Sequence, residues 1–142
     1  MQGVSIGEAA RDSGVKVPTI RYYEQIGLLP APTRTEGNRR HYESGDLRRL
    51  AFIRHARELG FEIEAIRTLL ALQDNPDQPC GTADAIARAR LVEVRQRIAS
   101  LTALQAELER MVEECACGRV ADCRVIETLA DTSHHHGRLA AP

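Results

Sequence analysis

The 142-residue chain is long enough for one compact domain, or for a small head with an extended element, and too short for a large enzyme. Hydrophobic residues make up 43%, aromatics 4% and charged residues 27%, a helix-rich globular composition that excludes a disordered chain. No apolar run approaches the ~18 residues of a membrane helix and no signal-peptide pattern opens the sequence, so a protein of the reducing cytoplasm, with no membrane partner, is expected.

The net charge of -1 averages two unlike halves. Residues 1–57 carry 10 basic against 6 acidic side chains, and residues 58–142 carry 9 against 14. The aromatics (Tyr22, Tyr23, Tyr42, Phe52, Phe61) lie in the first half or at its edge, and all four cysteines (Cys80, Cys115, Cys117, Cys123) lie in the second.

In chain order, Ser5 followed by Glu8 forms a capping-box pattern that predicts a short helix ending at Ser13-Gly14. After a tight turn, Pro18 suits the start of a second helix carrying Thr19, Arg21, Tyr22 and Tyr23 and stopped by Gly27. Two short helices across a glycine turn read as a helix-turn-helix, whose second helix enters the major groove. Lys16, Thr19, Arg21 and Tyr22 are its candidate DNA contacts. The same residues also fit an ordinary amphipathic helix pair, with Tyr23 in the core and Arg21 solvated.

The next segment favours DNA. Glu36-Gly37-Asn38 is a turn between short extended arms, as in a β-hairpin wing, with Arg34, Arg39 and Arg40 beside it. The planar fork of arginine can bond two phosphate oxygens at once; the alternative is a solvated hairpin tip. Ser44 is expected to cap a third helix with Asp46 in its first turn, running through Leu47, Leu50, Ile53 and Leu59 to a stop at Gly60. Phe61, Ile63, Ile66, Leu69 and Leu70 give a fourth helix with a buried stripe, completing a small winged-helix core.

Val4-Ser5-Ile6-Gly7-Glu8-Ala9-Ala10, Thr19-Ile20-Arg21-Tyr22-Tyr23-Glu24, Gly27-Leu28-Leu29-Pro30, Asn38-Arg39-Arg40-His41-Tyr42 and Leu59-Gly60-Phe61 closely resemble the MerR family of bacterial transcription regulators. The resemblance runs from residue 4 to about residue 130. It implies a mainly α fold: an N-terminal winged helix-turn-helix, a long antiparallel coiled-coil dimerisation helix, and a short C-terminal metal-binding loop and helix. It also implies that Thr19, Arg21, Tyr22, Arg39 and Tyr42 contact operator DNA.

From Thr82 to Glu114 there is no Gly or Pro, and good helix formers dominate. A helix of about 33 residues would be about 50 Å long. Ala87, Leu91, Val94, Ile98, Leu101, Leu108, Val112 and Cys115 follow a heptad seam that only Gln105 interrupts. Residues 62–72 are too short to cover it, so a second copy is expected to, giving a two-fold homodimer suited to a pseudo-palindromic operator.

Cys80 precedes this helix, while Cys115, Cys117 and Cys123 follow it. The ends of one such helix are about 50 Å apart. In a parallel dimer the two groups of cysteines would not meet; in an antiparallel one, Cys80 of one chain would lie near Cys115, Cys117 and Cys123 of the other. The antiparallel arrangement, with metal sites at those ends, is similar to that of the MerR family. Several thiolates select soft or borderline metals. A disulfide does not suit a reducing compartment, and Cys80 lacks the close partner of a zinc finger.

Family sensors of copper(I) resemble this chain in the spacing of Cys115 and Cys123, but generally lack a cysteine at the position of Cys80, which the zinc, cadmium, lead and mercury sensors have. That resemblance implies a divalent ion (Cd, Pb, Zn or Hg). Cys117 is a fourth ligand or a bystander. His134, His135 and His136 are a solvated tail or a weak secondary metal site. A copper(I)-responsive or an iron-sulfur redox-responsive regulator of the same family is the alternative, the latter with the first of its four cysteines replaced at Val112; the alternative outside the family is a thiol-based metal-storage protein, which has no use for the basic wing. No constellation suggests an enzyme.

The expected organisation is a DNA-binding head at 1–73, a linker and dimerisation helix at 74–114, and a metal-binding loop, short helix and histidine tail at 115–142. The resemblance implies promoter DNA, a second copy and RNA polymerase as partners, with metal-resistance or efflux genes activated by distortion of the DNA.

Overall fold

The computed structural model describes residues 3–114 and 118–133. The elements run α1 (Ile6–Ser13), α2 (Val17–Gln25), β1 (Thr33–Arg34), β2 (Arg40–His41), α3 (Ser44–Glu58), α4 (Ile63–Gln73), α5 (Gly81–Glu113) and α6 (Arg124–Ala130), with a 3-10 turn at Val120–Asp122. They fall into two compact units, residues 1–87 and 88–142.

In the first unit, α1 starts where Ser5 Oγ accepts the Glu8 N–H at 3.2 Å and ends on Gly14, whose φ of +75° is the left-handed C-cap conformation. The turn to α2 is held by the buried Ser13. Its hydroxyl donates to the Ala9 carbonyl at 2.6 Å and accepts the Val15 N–H at 3.2 Å. The second helix begins at Val17, so Pro18 stands in its first turn, where a missing N–H leaves no bond unmade. Gly27, φ +76°, follows its end.

The third helix departs from expectation at its start. Its N-cap is Glu43, not Ser44: the Glu43 carboxylate accepts the Asp46 N–H, and the Asp46 carboxylate accepts the Glu43 N–H at 3.0 Å. The reason is spacing, since a box needs a returning acceptor three residues on, and from Ser44 that position is the apolar Leu47. Leu59, expected on the apolar face, is exposed at the C-cap.

The core gathers Ala9, Ile20, Tyr23, Leu28, Leu29, Tyr42, Leu50, Ile53, Ile66 and Leu70, drawn from all four helices and the return arm of the hairpin. The hairpin pairs Thr33 with His41 and Arg34 with Arg40, antiparallel, across a turn in which Asn38 takes φ +60°. Val4 bridges Tyr42 through two backbone bonds of 2.7 and 2.8 Å, tying the start of the chain to the wing.

In the second unit, α5 continues to Glu113 and leaves Leu91, Ile98, Leu101, Leu108 and Val112 exposed. Leu101, Leu104, Leu108 and Val112 line a shallow groove of about 470 Å³ along its side. The tail helix α6 is tied to the end of α5 by Arg124, which bonds Glu114 at 2.8 Å and Glu127 at 3.1 Å, and Met111 is buried. The hydrogen bond that Arg124 donates to Glu114, with the charges of Glu127 and Glu114, holds the Arg124 guanidinium above its ordinary pKa. No helix among the described residues is long and apolar enough to cross a membrane.

Candidate nucleic-acid interface and metal ligands

The helix-turn-helix presents Lys16, Arg21 and Tyr22 to solvent, with Thr19 half-buried beside them. Neither Lys16 nor Arg21 has an ion-pair partner among the described residues, which leaves both charges available to an anion. The exposed Tyr22 ring is tilted against the buried Tyr23, centroids 6.1 Å apart. Burial raises the Tyr23 pKa against the opposing charge of Arg57, so its hydroxyl stays a neutral donor.

Two cations were not singled out by sequence. Lys16, Thr19, Arg54 and Arg57 share the rim of a depression of about 390 Å³ with Gly14, Val15, Tyr23 and Glu58. Arg54 pairs with Glu58 at 2.8 Å, and Arg57 donates to the Phe61 carbonyl at 2.9 Å. Their spacing of three on α3 was the available signal, but it does not say which neighbouring element they approach.

On the wing, Arg34 and Arg39 are exposed. Arg34 reaches only the Asn38 carbonyl, at 3.3 Å, and the Arg39 guanidinium has no ion-pair partner among the described residues. Arg40 differs: it is half-buried, with Nε 3.0 Å from Glu24. Tyr42, expected to face DNA, is instead a core residue with no exposed surface, and its hydroxyl donates to the other oxygen of Glu24. A wing strand alternates its sides, so the residue that closes the hairpin onto α2 turns inward. Burial, and then the bond to Glu24, raise the Tyr42 pKa far above the ordinary tyrosine value.

The candidate metal ligands are only partly described. Cys80 is exposed, its carbonyl accepting the Asp84 N–H at 2.9 Å in the first turn of α5, and it borders a depression of about 320 Å³ lined by Phe52, Leu69, Leu72, Pro76 and Pro79. Cys123 is half-buried between the 3-10 turn and α6; its N–H donates to the Val120 carbonyl at 3.1 Å and its carbonyl accepts from Glu127 at 2.9 Å. Cys115, Cys117, His134, His135 and His136 lie outside the described residues. Among the described residues no group of three or more His, Cys, Asp or Glu side chains is placed to hold a metal. The thiols suit a soft or borderline ion by their chemistry, while the described part of one chain does not assemble a complete donor set.

Comparison with known proteins places this geometry. Residues 4–73 match the MerR HTH family regulatory proteins, and residues 47–111 match the family described as MerR, DNA binding. The HTH-type transcriptional regulator ZntR of Escherichia coli strain K12 is 43% identical over 128 residues, 87% of this chain and 90% of that protein. The chain belongs to the MerR family. Heavy metal-dependent transcription regulator 2 of Rhizobium meliloti strain 1021, another MerR-family relative, is 38% identical over 130 residues, 92% of this chain and 88% of its own. The crystal structure of the transcription regulator PbrR691 from Ralstonia metallidurans CH34 in complex with lead(II) superposes with a TM-score of 0.76 at 37% identity, covering 89% of this chain and 98% of that one. As a MerR-family protein the chain is a DNA-binding transcription regulator and not an enzyme.

Proposed function

We propose that this MerR-family chain is a metal-responsive regulator that sits on promoter DNA as a homodimer and activates metal-resistance or efflux genes when a soft or borderline divalent ion (cadmium, lead, zinc or mercury) binds its cysteines. Residues 1–73 form the DNA-binding head, 74–114 the linker and dimerisation helix, and 115–142 the effector tail. Residues Lys16, Thr19, Arg21, Tyr22, Arg34 and Arg39 meet the DNA. Cys80 of one chain joins Cys115 and Cys123 of the other, with Cys117 a candidate fourth ligand and His134, His135 and His136 a secondary capture site. The protein acts in the cytoplasm, with RNA polymerase at the same promoter.

The observation that carries this reading is the placing of Cys80 before, and Cys123 after, a 33-residue helix whose apolar seam is left exposed. An antiparallel pairing along that seam brings the start of one helix to the end of its partner, and so completes a thiolate set that one chain leaves open. The heavy-metal dependence of the Rhizobium relative and the lead(II) held by the Ralstonia one support a metal as effector. A thiolate set of three suits trigonal or tetrahedral divalent ions better than the linear two-thiolate geometry of copper(I).

The metal can move the heads only by binding one arrangement of tail and dimer helix better than the other. Distorting promoter DNA costs on the order of a few kcal/mol, within reach of several metal–thiolate bonds across an interface. The test is Cys80→Ser in the full chain, read as metal-induced transcription from the regulated promoter. Loss of the divalent response with apo DNA binding intact is expected; an unchanged response overturns the cross-chain site. Metal content and visible absorption of anaerobically purified protein separate a colourless divalent site from an iron-sulfur cluster.

A further inference from the structure

One carboxylate joins the recognition helix to the wing. Glu24, near the end of α2, has a side chain only 10% exposed; one oxygen accepts Arg40 Nε at 3.0 Å and the other accepts the Tyr42 hydroxyl. Arg40 belongs to β2 and Tyr42 follows β2 directly, two positions on. Residues two apart on an extended strand project to the same side, so the two donors approach Glu24 together.

We propose that Glu24 is a positioning residue that locks the wing onto the recognition helix, so that Arg34 and Arg39 on the hairpin and Arg21 on α2 meet DNA as one preset surface. The proposal rests on the DNA-binding role of the head and adds a residue that does not itself touch DNA. It also gives Arg40 a brace's role: its charge is spent on Glu24, and the phosphate-facing charge of the wing is left to Arg34 and Arg39.

The physical need for a lock follows from the size of the hairpin. Two residue pairs, Thr33 with His41 and Arg34 with Arg40, make a ribbon too short to hold a fixed place by itself. The Val4–Tyr42 bridge fixes the backbone of its return arm on one side, and Glu24 fixes the side chains on the other. A wing that had to be ordered on binding would surrender affinity to the entropy of ordering, whereas a preset one does not. In Glu24→Gln the amide oxygen can still accept from Tyr42, but the amide nitrogen then faces Arg40 Nε, donor against donor, and the brace is released.

The test uses full-length protein and a DNA duplex enriched from a random-sequence library by the wild-type chain. Failure to enrich any duplex would sink the DNA-binding role itself; the lock is judged on the enriched duplex. Glu24→Gln, Arg40→Ala and the double variant are titrated across a range of salt concentrations, and hydrogen exchange is followed at the wing amides of Thr35, Asn38 and Arg39. The lock predicts roughly tenfold weaker binding for each single variant, a salt slope unchanged in Arg40→Ala because Arg40 itself neutralises no phosphate, and a double variant no worse than either single. It also predicts faster exchange at those amides in both single variants. Unchanged affinity in Glu24→Gln, or additive losses in the double variant, would overturn it. Should Glu24→Gln not fold, Arg40→Ala decides alone: weaker binding with unchanged wing protection makes Arg40 a direct phosphate ligand and the lock wrong.

Discussion

Leu108→Ala tests whether the seam of α5 is the dimer interface. Leu108 is 49% exposed in the single chain and lines the α5 groove with Leu101, Leu104 and Val112. Burying a leucine side chain fully contributes about 1.5–3 kcal/mol. About half of that remains to be gained when a partner covers the groove, roughly 1 kcal/mol per chain and, because a two-fold interface uses the residue twice, roughly 2 kcal/mol per dimer. At about 1.4 kcal/mol per factor of ten, the dimer dissociation constant should rise about 30-fold. Sedimentation equilibrium over a dilution series measures it. Circular dichroism should show unchanged helix content, because the side chain leaves no cavity within its own chain. Arg95→Ala, at an exposed α5 position outside the seam, is the control and should leave the constant in place. An unchanged constant in Leu108→Ala would refute the assignment of this face to dimerisation.

Alkaline unfolding of the head reports on Tyr42 and Tyr23. Both have pKa values raised in the folded state above the ordinary 10.0, so their contribution is complete below that pH. It is lost as pH rises past it, because the unfolded chain releases those protons first. Tyr42→Phe should shrink the alkaline loss in denaturant titrations and leave the part due to Tyr23; an unaltered alkaline limb would contradict the bond to Glu24. Asn38 holds φ +60° at the wing turn, where a β-branched residue is strained. Asn38→Val should destabilise the turn by about 1–2 kcal/mol and raise exchange at its amides, while Asn38→Gly should not. Arg39→Ala should weaken binding to all DNA sequences alike and lower the salt slope by about one per chain; a sequence-selective loss would make Arg39 a base reader instead.

Features decided within a few residues were legible in the sequence. Ser5 and Gly14 bound α1, Gly27 and Gly60 stop their helices with positive φ, and the stretch without Gly or Pro after Gly81 is one helix of 33 residues. The heptad pattern anticipated most of the bare apolar side chains of α5, since Leu91, Ile98, Leu101, Leu108 and Val112 are exposed, but Val92, outside the seam, is exposed as well and Val94, within it, is half-buried. What escaped were contacts between distant positions. The place of Tyr42 in the core depends on Glu24, 18 residues earlier, and on the backbone bridge to Val4. Arg40 looked like its neighbour Arg39 because residue type says nothing of which arginine is already paired. The cap of α3 is a local feature too: Glu43 and Asp46 stand three apart, as a capping box requires, whereas Ser44 offers only a hydroxyl with Leu47 three residues on. For the candidate metal ligands, the order of Cys80 before α5 and Cys123 after it was legible, but sequence order gives no donor count.

The bare seam and the DNA-reading head occupy separate stretches of chain, and in the proposed dimer this has a genetic consequence. A chain with a damaged head keeps Leu91, Ile98, Leu101, Leu108 and Val112 and goes on pairing with intact chains. Where both are made in equal amounts, random pairing leaves only a minority of dimers with two sound heads, so head lesions should behave as dominant. Lesions of the seam remove a chain from the pairing pool altogether and should behave as recessive.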